Sequence, residues 1–141
     1  MKKLLIVSHG SLAKGIISSA KVILGESVDA NFCCLEAGMG IEKFRELLEP
    51  MIDSISEADQ IIILADLIGG SPYNVTLDML RNKEILDKSI VISGVNLPLA
   101  LNLLLSEEEI TKEEVENISN YAKDGIKIFE VNLDSDLEDE I

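Results

Sequence analysis

Residues 60–72 read QIIILADLIGGSP, and this stretch decides the fold. Residues 60–65 are nearly continuously apolar and rich in isoleucine, the pattern of a strand buried on both faces. Asp66 ends the run, Gly69 and Gly70 follow, and Ser71 and Pro72 then suit a helix N-cap and first helical position. Ser71 is therefore expected to cap a helix and Pro72 to open it. A buried strand that runs through a short loop into a helix is the unit of a parallel sheet.

The alternation extends in both directions. Residues 3–8 (KLLIVS), 30–35 (ANFCCL) and 88–92 (KSIVI) read as further strands, and residues 126–133 as a last one. Between them, residues 12–24 carry Leu12, Ile16, Ala20, Ile23 and Leu24 near helical spacing. Ile41, Phe44, Leu47, Leu48, Met51, Ile52 and Ile55 form an amphipathic stripe that contains Pro50, which is expected to kink or interrupt the helix. Residues 97–105 form a short, very apolar helix, with more leucines than one face can hold. Thr111 with Glu114 resembles a capping box, followed by Val115, Ile118 and Ala122 on one face. The reading is an α/β fold with a mostly parallel sheet, one domain over residues 1–133, and an acidic tail over 134–141 that frays.

Composition narrows the function classes. The chain has 141 residues, no tryptophan and a net charge of −14. That charge argues against nucleic acid and anionic membrane surfaces, which require basic patches, and permits a basic protein partner; solubility alone would explain it equally. No apolar run approaches the ~20 residues of a membrane span. The two lysines at the start precede an apolar run that ends at Val7, too short for a signal peptide and without a cleavage site. The only cysteines, Cys33 and Cys34, are adjacent, point to opposite faces of a strand and fit a reducing cytoplasm.

Folds of this class bind ligands at the carboxyl ends of strands, where the strand order reverses. Those places read Ser8-His9-Gly10-Ser11, Asp66 through Pro72, and Ser93-Gly94-Val95-Asn96. His9 is the only histidine, and it lies directly after the first strand. If the third strand neighbours the first, Asp66 approaches His9, fixes one ring nitrogen as an N–H donor and leaves the other as a nucleophile. Asp66 could equally cap its own turn. Gly69, Gly70 and Ser71 at a helix start could offer N–H groups to an anion, or could simply make a tight turn. Residues 10–15 (GSLAKG) resemble a Walker A loop, but Ile16 and Ile17 stand where Lys and Ser/Thr are needed. No cluster has metal-ligand spacing, and no metal or cofactor is expected.

Taken together, Ser8-His9-Gly10, then Asp66-x-x-Gly69-Gly70-Ser71-Pro72-x-Asn74, then Gly94-Val95-Asn96-Leu97-Pro98 resemble the mannose-type EIIA component of the bacterial phosphotransferase system. The resemblance implies a doubly wound sheet of four parallel strands with helices on both faces. A fifth, antiparallel strand, here residues 126–133, would be exchanged in a homodimer. It implies that His9 takes a phosphoryl group from phospho-HPr, as a tele-phosphohistidine, and passes it to a separate EIIB component serving a membrane permease. Asp66 would orient His9. From the helix start itself, rather than from the resemblance, Gly69, Gly70 and Ser71 are read as holding phosphoryl oxygens. The rival readings are a phosphocarrier feeding dihydroxyacetone kinase, and a signalling domain regulated by phosphorylation of His9. A receiver domain would need an acidic cluster where Ser8 and His9 stand. A flavodoxin would want more aromatic residues than Tyr73 and Tyr121 beside so few others.

Overall fold

The computed structural model describes residues 1–106 and 108–131. The chain alternates β1 (Lys2–His9), α1 (Leu12–Leu24), β2 (Ala30–Leu35), α2 (Ile41–Ile55), β3 (Gln60–Ala65), α3 (Ser71–Asn82), β4 (Ser89–Ser93), α4 (Leu97–Leu105) and α5 (Lys112–Lys123), with a short 3-10 turn at Leu86–Lys88. Among the described residues the sheet has four strands in the order β2-β1-β3-β4. All the pairings are parallel.

The strands are apolar on both faces because both faces are covered. Leu5, Val7, Cys33, Ile61, Ile63 and Ala65 pack against Phe44, Leu48 and Ile52 of α2 and Val75, Met79 and Leu80 of α3. Leu4, Ile6, Cys34, Ile62 and Leu64 pack on the opposite face, against Ile16 and Ile17 of α1, Leu99 and Leu103 of α4 and Ala122 of α5. Each fully buried Leu, Ile or Val contributes on the order of 1.5–3 kcal/mol. Alternate strand residues thus serve two cores, and Cys33 and Cys34 fall one in each.

Several local expectations are revised. α2 is continuous through Pro50, which lies on its exposed side. There water can solvate the carbonyl left without a partner, so the missing N–H does not end the helix. The cap of α3 is Gly70, not Ser71, because the Gly70 carbonyl accepts the first intrahelical bond, from Asn74 N at 2.9 Å. The Thr111 hydroxyl does cap α5, accepting from Glu114 N at 3.1 Å; the Glu114 carboxylate receives that hydroxyl rather than a backbone N–H. The leucines of α4 find cover within the chain. Leu99 and Leu103 are buried, Leu97 and Leu104 pack partly buried beside them, and Leu105 stays exposed.

Among the described residues, 126–131 form no strand pairing, and Ile126, Ile128, Phe129 and Val131 are all exposed. Residues 132 and 133 of the expected last strand, and the acidic tail 134–141, lie outside the described residues. Among the described residues no helix is long and apolar enough to cross a membrane.

Candidate functional site

The strand order reverses between β1 and β3. From β1 the chain moves outward to β2, and from β3 it moves the other way to β4. Loops leaving the carboxyl ends of β1 and β3 diverge there and open a crevice. His9 is the last residue of β1, and Asp66 directly follows β3.

The crevice brings the two side chains together. Asp66 Oδ2 lies 2.8 Å from His9 Nδ1 and accepts the His9 backbone N–H at 2.8 Å. Asp66 Oδ1 accepts the Leu67 N–H at 2.9 Å. The carboxylate therefore closes its own turn and contacts His9 at once. An ionised carboxylate only accepts, so Nδ1 carries the proton in this contact, and in the neutral form of the ring Nε2 then holds the lone pair. Burial alone would raise the Asp66 carboxyl, which is 9% exposed, but the donors from His9 and Leu67 outweigh it and hold the group below its ordinary value. The His9 ring, by contrast, is 44% exposed.

The loop after Asp66 shapes the other side of the ring. Gly70 N donates to Leu67 O at 3.3 Å, closing a turn in which Gly69 takes φ +75°. Such a corner strains any residue with a Cβ. Gly70 itself must lack a side chain because of the imidazole. A Cβ there would stand 2.8 Å from His9 Cε1 and 3.6 Å from Nε2. The turn carries Leu67 and Ile68 outward, 60% and 75% exposed. The expectation that Gly70 offers its N–H to an anion is corrected, because Leu67 O already takes it. Pro72 has no N–H, so Ser71 is the donor-bearing residue at the very start of α3.

Ser8 and Gly10, for which the sequence suggested no role of their own, hold the other loop. The buried Ser8 hydroxyl accepts from Ala13 N at 2.8 Å and donates to Gly10 O at 3.3 Å. Gly10 N donates to Leu35 O at 2.8 Å while Gly10 takes φ +56°. A polar residue at the end of a buried apolar strand was the available signal for Ser8. The third expected site element is organised separately. Asn96 Oδ1 caps α4 through Leu99 N at 2.9 Å, and its amide reaches Ala122 O at 3.0 Å. Val95 N donates to Ala65 O at 3.0 Å, so this loop buttresses the end of β3 next to Asp66. Among the described residues no three His, Cys, Asp or Glu side chains converge as a metal site.

The fold and site define a doubly wound α/β domain with a partly exposed imidazole, paired with a carboxylate, at its switch point. A family model described as "PTS system fructose IIA component" matches residues 3–119, and the chain belongs to that family, the IIA phosphocarriers of sugar phosphotransferase systems. It is 24% identical to the PTS system fructose-specific EIIA component of Bacillus subtilis (strain 168), over 95% of this chain and 90% of that protein. It is 26% identical to the PTS system mannose-specific EIIAB component of Escherichia coli (strain K12), over 75% of this chain, which spans only 32% of that longer protein. Among solved structures it resembles the mannose/sorbose specific IIA subunit of the phosphotransferase system from Enterococcus faecalis. The TM-score is 0.81 at 26% identity, over 94% and 98% of the two chains. It also resembles the PTS IIA protein associated with the fucose utilization operon from Streptococcus pneumoniae, with a TM-score of 0.79 at 29% identity, over 90% and 92%.

Proposed function

We propose that His9 is the phosphoryl acceptor and donor of this chain, and that Nε2 is the reacting atom. The observation that carries the reading is the 2.8 Å contact between His9 Nδ1 and Asp66 Oδ2, which favours the neutral tautomer with Nε2 as the nucleophilic nitrogen. The donor is phospho-HPr. The Nε2 lone pair attacks phosphorus in line as the P–N bond of the donor breaks, and the donor imidazole leaves with its electron pair. The new phosphoimidazole is cationic, because Nδ1 keeps its proton, and the Asp66 carboxylate stabilises that charge. The Ser71 N–H and hydroxyl, at the positive end of α3, take phosphoryl oxygens, and Gly69 and Gly70 keep the approach open. The reverse steps deliver the group to a separate EIIB component, which phosphorylates sugar entering through a permease. Because phosphorus moves between two nitrogens of similar basicity, catalysis is chiefly positioning. The reaction takes place in the cytoplasm.

The assembly is a homodimer with exchanged last strands. The run from Ile126 to Val131 is exposed on both sides, with Ile128 89% and Phe129 61% accessible, as suits a strand that needs cover on two faces. A groove of about 480 Å³ lies along β4, lined by Ile90, Val91, Ile92, Ile110 and Val115. β4 is an edge strand of the described sheet, and a strand from a second copy would pair along it.

The test is incubation with labelled phosphoenolpyruvate, enzyme I and HPr. The wild type is expected to take up label that is lost in acid and kept in alkali, and His9→Ala to take up none. Label on the His9→Ala protein would sink the mechanism.

A further inference from the structure

We infer that Asn74 is a positioning residue for His9, acting through the Gly69-Gly70 turn; the inference rests on the reading of His9 as the phosphoryl carrier. Asn74 lies in the first turn of α3, exposed, and does not stand between His9 and Asp66. Its side-chain amide donates to Gly69 O at 2.9 Å, and its backbone N–H donates to Gly70 O at 2.9 Å. One residue thus holds the carbonyls of both glycines. The backbone bond is an ordinary helical one and survives any substitution except proline. The side-chain bond fixes the orientation of the peptide between Gly69 and Gly70.

That peptide matters because it carries Gly70, which faces the imidazole across a gap too small for a Cβ. The ring is held by Asp66 on Nδ1 at 2.8 Å. On its Cε1 edge it faces the Gly70 backbone so closely that a Cβ there would be 2.8 Å away. Cε1 lies between the two ring nitrogens, so these contacts set the ring's tilt and the direction of the Nε2 lone pair. One is a hydrogen bond; the other is the stop that the Gly70 backbone sets to the space beside Cε1, where no Cβ fits. The stop is only as firm as the turn beneath it. The turn has Gly69 at φ +75° and a 3.3 Å closing bond from Gly70 N to Leu67 O, which is long for a hydrogen bond. Two adjacent glycines give the backbone wide freedom, and the Asn74 amide removes it. In-line transfer is sensitive to displacement of this size, and a 1 Å misplacement can cost ~100-fold in rate.

The test uses the full chain and two readouts. The first is the single-turnover transfer rate from phospho-HPr as a function of its concentration. The second is the NMR signal of the His9 Cε1–H in the unphosphorylated protein, which needs no phosphoryl transfer. The inference expects Asn74→Ala to lower the rate at saturating phospho-HPr by about 10- to 100-fold with little change in the half-saturating concentration. It also expects the Cε1–H signal to shift and broaden while thermal stability is kept. Asn74→Asp, similar in size but without the donor, should reproduce both effects. Gly70→Ala, which pushes the ring directly, should slow transfer too, and adding Asn74→Ala to it should cost no more than about twofold further, because both act on one contact. An unchanged ring signal in Asn74→Ala would overturn the inference. So would a loss confined to the half-saturating concentration, which would make Asn74 a docking residue. So would full additivity with Gly70→Ala. Failure of the wild type itself to accept phosphoryl groups would instead defeat the reading of His9, and the ring signal would still report on the contact.

Discussion

Replacing Asp66 with asparagine separates a residue that orients His9 from one that only closes a turn. Oδ2 accepts from His9 N and from His9 Nδ1, both at 2.8 Å, and Oδ1 accepts from Leu67 N at 2.9 Å. Asparagine has one acceptor oxygen. If that oxygen keeps the two His9 donors, its NH₂ group faces the Leu67 N–H. If it keeps Leu67, the NH₂ faces both His9 donors. Either way the charge is lost from a carboxylate that is 9% exposed, and the remaining bonds fall from about 1.5–3 kcal/mol each to about 0.5–1.5. The cationic phosphoimidazole loses its counter-charge in the transition state. Phosphoryl transfer should slow by roughly 10- to 1000-fold, that is ~1.4 to 4 kcal/mol. The assay is rapid-quench transfer from phospho-HPr to Asp66→Asn, with the tautomer of the His9 ring read by nitrogen NMR. The wild type should hold its proton on Nδ1, and the variant should lose that preference. An unchanged rate with an unchanged tautomer would refute the pairing as a catalytic device and leave Asp66 as a turn residue.

Other consequences follow from the same geometry. Asp66 titrates below its ordinary value in the native chain, so its contribution to stability is full above about pH 4, the unfolded value, and is lost as pH falls through the lower native one. Urea midpoints of the wild type and Asp66→Asn should therefore differ at pH 7 and converge in acid; a gap that persists or widens in acid would contradict the assignment. Ile68 is 75% exposed in the loop that follows Asp66, so Ile68→Glu should raise the half-saturating concentration of phospho-HPr by about tenfold while leaving the saturated rate nearly unchanged. Ile128 is 89% exposed in the run assigned to strand exchange. Ile128→Glu should shift the light-scattering mass from dimer toward monomer, and a wild type already monomeric at working concentrations would remove the exchange.

Much of this architecture was legible because it follows from short-range patterning. The strand at residues 60–65 declares itself through five consecutive apolar residues after Gln60, and it proves buried on both faces. The approach of Asp66 to His9 required one inference beyond patterning, that β3 neighbours β1, and the parallel register of Lys2 with Gln60 through Val7 with Ala65 provides it. What stayed hidden depended on where atoms lie within a loop. Pro72 suggested that Ser71 was the cap, yet the chain starts the helix one residue earlier, so that Gly70 can bend beneath the imidazole. Periodicity cannot report a peptide's orientation, so the amide of Asn74 on Gly69 O was beyond reach. Whether Pro50 interrupts α2 was likewise beyond periodicity, and the helix runs through it with Pro50 on the exposed side.

The most direct measurement locates the phosphorus. The protein is phosphorylated through enzyme I and HPr, and its single histidine is observed by phosphorus and nitrogen NMR. The account predicts one phosphoryl group bonded to His9 Nε2, lost in acid and kept in alkali, with the proton retained on Nδ1 against Asp66. Phosphorus on Nδ1, or an alkali-labile acyl phosphate on a carboxylate, would contradict it.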